Sequence, residues 1–266
     1  MTDKFAPRPR YLFIGGLHRS GTSLVNRLAN ALPGAGGITG SAAPENEGVY
    51  LQGAIPHTAL SGRPMQFATN PEEHLTEAHP LNRLETRLRL DHDWDPWFAP
   101  GLDWRVEKSP VNLTRMRLLQ QLFPMAQFIV VLRHPEAVAA SVAAWVDAAP
   151  AALIDHWCEA HAQLAADLPY LHAVLILRYE GIIRAPDRAL HQIAAFLDTK
   201  PASTPEAIAD GNRPYVGAPA LSPTQADAVA RWGYGPELAV HDWAGHVQHP
   251  LRAVREAVIQ LAVPQD

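Results

Sequence analysis

The run Tyr11 to Ser23, YLFIGGLHRSGTS, constrains the fold more than any other part of the chain. Tyr11 to Ile14 is a short apolar run, as in a buried strand. Gly15 and Gly16 then turn the chain, and Leu24, Val25, Leu28 and Leu32 recur at a helical period beyond them. A strand, a glycine turn and a helix in that order make the first unit of an α/β sheet. The turn also suits an anion. N–H groups at a helix start lack intrahelical partners and carry the positive end of the helix dipole. Gly16 and Gly21 have the G-x-x-x-x-G spacing that lets a backbone wrap a phosphate. His18, Arg19, Ser20, Thr22 and Ser23 add side-chain donors. The plainer alternative is a glycine turn that only starts a helix.

The second half of the chain repeats the α/β alternation. Residues 105–107, 127–132 and 173–177 read as strands, and 112–123, 135–146, 153–168 and 187–197 as helices. Continuous apolar strands between helices indicate a parallel sheet covered on both faces. The expected fold is therefore α/β, a P-loop-type three-layer fold with a central parallel sheet flanked by helices. One domain spans 1–266, with its core at about 10–200 and helices and loops packed around it from 201 to 266. Residues 33–40 read as a loop and 48–54 as a short helix. Residues 56–80 read as a long loop or lid. Leu81, Leu84 and Leu88 mark a further helix. Residues 91–104 are irregular and rich in aromatics, with Trp94, Trp97, Phe98 and Trp104 as candidates for an acceptor pocket or for the core. Trp232 and Tyr234 are open to the same two readings.

Charge and composition remove several function classes. Lys and Arg number 22 against 27 Asp and Glu, a net charge of −5. That excludes a broadly basic nucleic-acid surface. A single cysteine, Cys158, excludes an internal disulfide and a cysteine-rich zinc site. The histidines make no clean zinc pattern, so no metal is expected. No run approaches the roughly 20 apolar residues of a membrane helix. The N-terminal apolar patch runs into His18 and Arg19 without a cleavage site. The expected location is the cytoplasm, without a nucleic-acid or membrane partner. The sequence does not specify an oligomeric state.

The loop departs from that of a nucleoside triphosphatase, where Lys and then Ser or Thr follow the last glycine and the hydroxyl holds Mg²⁺. Here Thr22-Ser23 follow, and the buried strands end in Arg133 and Arg178 rather than in an aspartate. Protein cations, not a metal, are suited to neutralise the anion. GGLHRSGTSLV resembles the 5′-phosphosulfate loop of sulfotransferases that use 3′-phosphoadenosine 5′-phosphosulfate (PAPS). The arginine before Ser-Gly-Thr is similar to bacterial members and to the tyrosylprotein branch.

Further motifs carry the same resemblance in the same order. Arg133-His134-Pro135 with Ser141 resembles the family's 3′-phosphate motif. An arginine fork at a strand end and a serine two turns into the next helix can converge on one phosphate. Arg178-Tyr179-Glu180 looks like the segment whose tyrosine lies by the adenine. EKSPVNLTRMRLLQQLFP resembles a recurrent bacterial segment, which puts Lys108 near the transferring group. Asn212-Arg213-Pro214-Tyr215 offers a late contact through Arg213. The resemblance covers roughly 10–200 and implies a metal-independent transfer of a sulfuryl group from PAPS. The acceptor would be a hydroxyl, or less favourably an amine, on a small molecule, glycan or peptide.

Sulfuryl transfer makes demands like those of phosphoryl transfer, namely in-line positioning and stabilisation of growing charge. Arg19, Lys108 and the loop N–H groups suit that charge. The acceptor must also lose a proton. The histidine that follows the strand lysine in the cytosolic branch is absent, because Ser109 and Pro110 follow Lys108. The tyrosylprotein branch places a glutamate base where Pro44-Glu45-Asn46-Glu47-Gly48 lies, which favours Glu47 over Glu45. His18 is a rival base or an anion contact. Two other readings remain at this level, a nucleotide-dependent kinase or phosphotransferase and a nucleotide-binding module without catalysis.

Overall fold

The structure, a computed structural model, describes residues 8–57, 64–201, 203, 208–215 and 220–262. Its centre is a six-stranded sheet. The strands are β1 (Arg10–Gly16), β2 (Ala35–Gly37), β3 (Trp104–Lys108), β4 (Gln127–Leu132), β5 (Val174–Arg178) and β6 (His246–Gln248). They lie in the order β2-β3-β1-β4-β5-β6. The first five are parallel, and β6 pairs antiparallel to β5 with Leu175 opposite Val247. The expected parallel sheet is thus a mixed one with an antiparallel edge.

Strand alternation sorts the core into two layers. Leu12, Ile14, Ile129 and Val131 face one side, under α1 (Thr22–Asn30), α7 (Pro186–Phe196) and α9 (Arg252–Ala262). Tyr11, Phe13, Phe128 and Val130 face the other, under α2 (Leu84–Trp94), α3 (Met116–Leu122), α4 (Pro135–Ala143), α5 (Pro150–Asp167) and α8 (Pro223–Ala230). A short α6 (Tyr179–Arg184) follows β5 directly.

This topology fixes where a ligand can sit. β1 is central, with β3 on one side and β4 on the other; the chain leaves β1 through α1 on one face toward β2, and crosses from β3 through α3 on the other face to β4. The carboxyl ends of strands meet in a crevice at such a switch point. The ends of β1, β3, β4 and β5 carry the glycine loop, Lys108, Arg133 and Tyr179 respectively.

Several expected elements differ. The 33–40 loop contains β2, whose Gly36 lies against Leu102, where a Cβ would sit 2.9 Å from its methyl groups. The helix expected at 112–123 is a 3-10 turn, Pro110–Thr114, and then α3, parted at Arg115. The short helix at 48–54 is a 3-10 turn, Gly48–Leu51. In α2 the phase is inverted. Leu84 and Leu88 are 61% and 53% exposed, while Thr86, Leu90 and Trp94 are buried. Of the expected loop or lid at 56–80, residues 58–63 lie outside the described residues. The rest packs down, with Phe67, Ala68 and Leu75 buried and Glu73 paired to buried Arg115. Part of the expected C-terminal region also lies outside the described residues.

Candidate active site

The glycines of the loop are required by geometry. Gly16 has φ +153°, and a Cβ there would lie 2.6 Å from the Val131 carbonyl oxygen. Gly21 has φ +103°, and its Cβ would lie 2.8 Å from Cδ2 of Tyr179. Side chains rarely adopt such φ, and neither site has room for one. Between them Arg19 takes the left-handed conformation at φ +67°. No side chain caps α1, so the turn presents uncapped N–H groups. Buried Ser20 Oγ has no hydrogen-bond partner. An orphaned donor beside open N–H groups fits a missing anion.

Arg19, Arg133 and Ser141 come together. Arg19 Nε donates to Ser141 Oγ at 2.7 Å, and Arg133 Nη1 donates to the Arg19 carbonyl at 2.8 Å. Trp157 Nε1 holds the Arg133 carbonyl at 3.0 Å, which fixes the strand end. The rest of the Arg133 fork reaches a later segment, Asn212 Oδ1 at 2.7 Å and the Gly211 carbonyl at 2.6 Å. Its guanidinium lies 4.6 Å from the centre of the Tyr179 ring. Tyr179 Oη in turn accepts from Gly211 N at 2.9 Å.

From that late segment the structure brings Asn212, rather than Arg213, to Arg133. Exposed Arg213 instead lines a neighbouring cavity of about 480 Å³, with Glu180, Arg184 and Asp210 among its walls. Glu180 ties the two regions together. It accepts from His134 N, Asn212 Nδ2 and Tyr234 Oη, each at 2.9 Å.

On the other side of the loop, Lys108 and Glu47 form a buried pair. Lys108 Nζ lies 2.9 Å from Glu47 Oε1 and 3.5 Å from Glu45 Oε2. Burial pushes the Glu47 carboxyl up to about 7, against the pull of Lys108. Exposed Glu45 also accepts a hydrogen bond from Ser23 Oγ, which holds its pKa down and links Lys108 to the phosphate loop. Glu45 and Asn46 both have left-handed backbones, at φ +52° and +53°. Asn46 Oδ1 accepts from Ser41 N and Oγ and so secures this turn. His18 is largely buried near His156 and Lys108, and its pKa falls to about 4. It is a neutral imidazole at pH 7, with Nδ1 unpartnered.

Some functional candidates were not legible in the sequence. Trp145 is exposed, with the Arg19 guanidinium 4.9 Å from its ring centre. Asn212 carried no signal beyond its neighbours. Glu107 lies directly before Lys108 in EKSP, and nothing in the sequence separates it from an ordinary strand residue. Conversely, Trp94, Phe98, Trp104, Trp232 and Tyr234 are buried in the core and do not surround the loop. His156 and His161 are buried, and burial pulls their pKa values to about 4 and about 3. Among the described residues no group of three or more His, Cys, Asp or Glu is placed to hold a metal ion. None of the described helices is long and apolar enough to cross a membrane.

A central, mostly parallel sheet with a glycine loop at the carboxyl end of β1, beside arginines and a lysine, is an α/β fold of the P-loop type. A model of the sulfotransferase family matches residues 9–202, and the chain belongs to that family. Its general chemistry is sulfuryl transfer. The fold is similar to that of a sulfotransferase from Alicyclobacillus acidocaldarius, at 17% identity and a TM-score of 0.51, over 85% of this chain and 91% of that one. A sulfotransferase from Mycobacterium tuberculosis aligns at 16% identity and a TM-score of 0.48, over 95% of this chain and 77% of that one. No curated protein matches the sequence.

Proposed function

We propose that this protein transfers the sulfuryl group of PAPS to a hydroxyl of its acceptor, with Glu47 as the base. The observation that carries the reading is the buried Lys108–Glu47 pair, joined through Glu45 and Ser23 to the uncapped loop. The loop N–H groups, Arg19, Ser20, Thr22 and Ser23 hold the 5′-phosphosulfate. Arg133 and Ser141 take the 3′-phosphate, and Tyr179 lies by the adenine.

The acceptor oxygen attacks sulfur in line with the bridging oxygen to the 5′-phosphate. Positioning and charge stabilisation then supply most of the rate. Negative charge grows on the bridging oxygen, where Arg19 and Lys108 meet it. Glu47 takes the acceptor proton. A carboxylate whose pKa lies near 7 is a stronger base than an ordinary one and still largely ionised at slightly alkaline pH. His18, neutral and with a pKa of about 4, is the weaker base. It remains suited to a neutral hydrogen bond.

Calorimetric titration with 3′-phosphoadenosine 5′-phosphate (PAP) tests the donor site. Micromolar binding without Mg²⁺, at least tenfold weaker in Arg133→Ala, is expected. A preference for Mg-ATP over PAP overturns the reading.

A further inference from the structure

Glu107 is fully buried one residue before Lys108, and its two carboxylate oxygens accept three hydrogen bonds from two neighbouring segments. Oε1 accepts from Gly48 N at 2.9 Å and from Ser109 Oγ at 2.6 Å, and Oε2 accepts from Asn112 Nδ2 at 2.6 Å. Ser109 Oγ itself accepts from Val49 N at 3.1 Å. The N–H groups of residues 48 and 49, immediately after Glu47, are therefore both clamped to the end of β3. Asn112 also donates to the Ile14 carbonyl at 3.2 Å, which ties the clamp to the strand that leads into the phosphate loop. Gly48 is necessary to this contact. A Cβ there would lie 2.7 Å from Glu107 Oε1.

We propose that Glu107 is the positioning residue for Glu47, fixing the 47–49 turn so that the buried Glu47 carboxylate meets Lys108 at 2.9 Å. The inference rests on Glu47 being the base. Successive strand residues point to opposite faces, so Glu107 and Lys108 reach the turn by different routes. One holds its backbone and the other its carboxylate. Every donor on Glu107 is satisfied by a carboxylate without a proton. Burial raises the Glu107 pKa, and the hydrogen bonds from Ser109, Asn112 and Gly48 together with the charge of Lys108 pull it back toward the carboxylate.

The groups that face Glu47 are Lys108 and Glu107 from β3, Glu45 from its own turn and Tyr50 from the turn that follows. Burial is the main cause of the raised Glu47 pKa, and the Glu107 charge adds to it. Removing that charge, or letting water into the turn, lowers the pKa.

The test is a carboxyl ¹³C NMR titration of glutamate-labelled protein, with the Glu47 signal assigned by its loss in Glu47→Gln. Glu107→Gln is expected to move the Glu47 titration down by about one pH unit or more. PAP affinity should change less than twofold, because the variant leaves the phosphate loop intact. Ser109→Ala keeps both charges but cuts the link to Val49, and is expected to shift Glu47 in the same direction by a smaller amount. If Glu107→Gln loses PAP binding through misfolding, Ser109→Ala carries the test. An unmoved Glu47 titration in a folded variant overturns the proposal. This readout needs no acceptor. The base assignment fails separately, if Glu47→Gln transfers sulfuryl at the wild-type rate.

Discussion

Glu47 and Lys108 meet at 2.9 Å in a buried ion pair, yet the carboxyl of Glu47 is held up at about 7. Desolvation outweighs the attraction of the lysine at this position. Within the proposed mechanism the pair therefore sets a pH limb on the reaction.

The kcat/KM for PAPS, which reports the free enzyme, is expected to rise with pH along a limb centred near 7 as Glu47 ionises. The His18 imidazole titrates at about 4, so a His18 base would put the limb there. A pH–rate profile separates the two. A limb near 4 that survives Glu47→Gln would remove Glu47 from the mechanism.

The same shift predicts a stability profile. The Glu47 carboxyl binds its proton more tightly when folded, at about 7, than the ordinary 4.5 of an unfolded chain. Its contribution to stability is full below about pH 4.5 and is lost as pH rises through 7. The difference amounts to roughly 3 kcal/mol at most. Thermal melts of the wild type against Glu47→Gln, from pH 5 to 8, are expected to show a flatter dependence in the variant.

Gly21→Ala should cripple nucleotide binding. The φ of +103° opposes any side chain, and the new methyl would press on the Tyr179 ring. Backbone strain of this kind costs about 1–3 kcal/mol. PAP affinity measured by calorimetry is expected to fall at least tenfold, and wild-type affinity would show that the loop tolerates a side chain there.

Glu136, fully buried at the start of α4, receives the N–H groups of Leu221, Glu237 and Leu238 at 3.3, 3.3 and 2.8 Å. Glu136→Ala leaves all three without that acceptor. The expected loss is about 3 kcal/mol, from the cost of leaving buried groups unpaired. A scanning calorimeter should record a drop in Tm of roughly 6–12 °C. An unchanged Tm would mean that water replaces the carboxylate at no cost.

The parts of the fold that the sequence made legible are those where one physical signal acts alone. QFIVVL reads as a buried strand from its short length and β-branched residues, and Pro135 marks the start of a helix where its missing N–H is harmless. The edge strands β2 and β6, AGG and HVQ, are three residues each, too short and, in AGG, too glycine-rich to signal a strand. Pairing with β3 and β5 makes them strands. The phase of α2 is hidden in the sequence because two exposed leucines outweigh one buried threonine in any hydrophobic count. Arg19, Arg133, Ser141, Tyr179, Lys108 and Glu47 were readable as motif residues. Their neighbours Asn212, Trp145 and Glu107 were not, because their place in the site comes from long-range packing.

The bonds of Glu180 to Asn212 and Tyr234, and the pairing of β6 with β5, also bear on synthesis. A chain leaves the ribosome from its N-terminus, and domains fold as they emerge. The strands that carry the glycine loop, Lys108 and Arg133 all lie before residue 178. The segment that grips Arg133 arrives some thirty residues later, and the last edge of the sheet is closed only by residues 246–248. Both core layers also draw on this last third, through Val229, Trp232 and Tyr234 on one face and Val254 and Val258 on the other, so the domain can close as a unit only when synthesis is nearly complete.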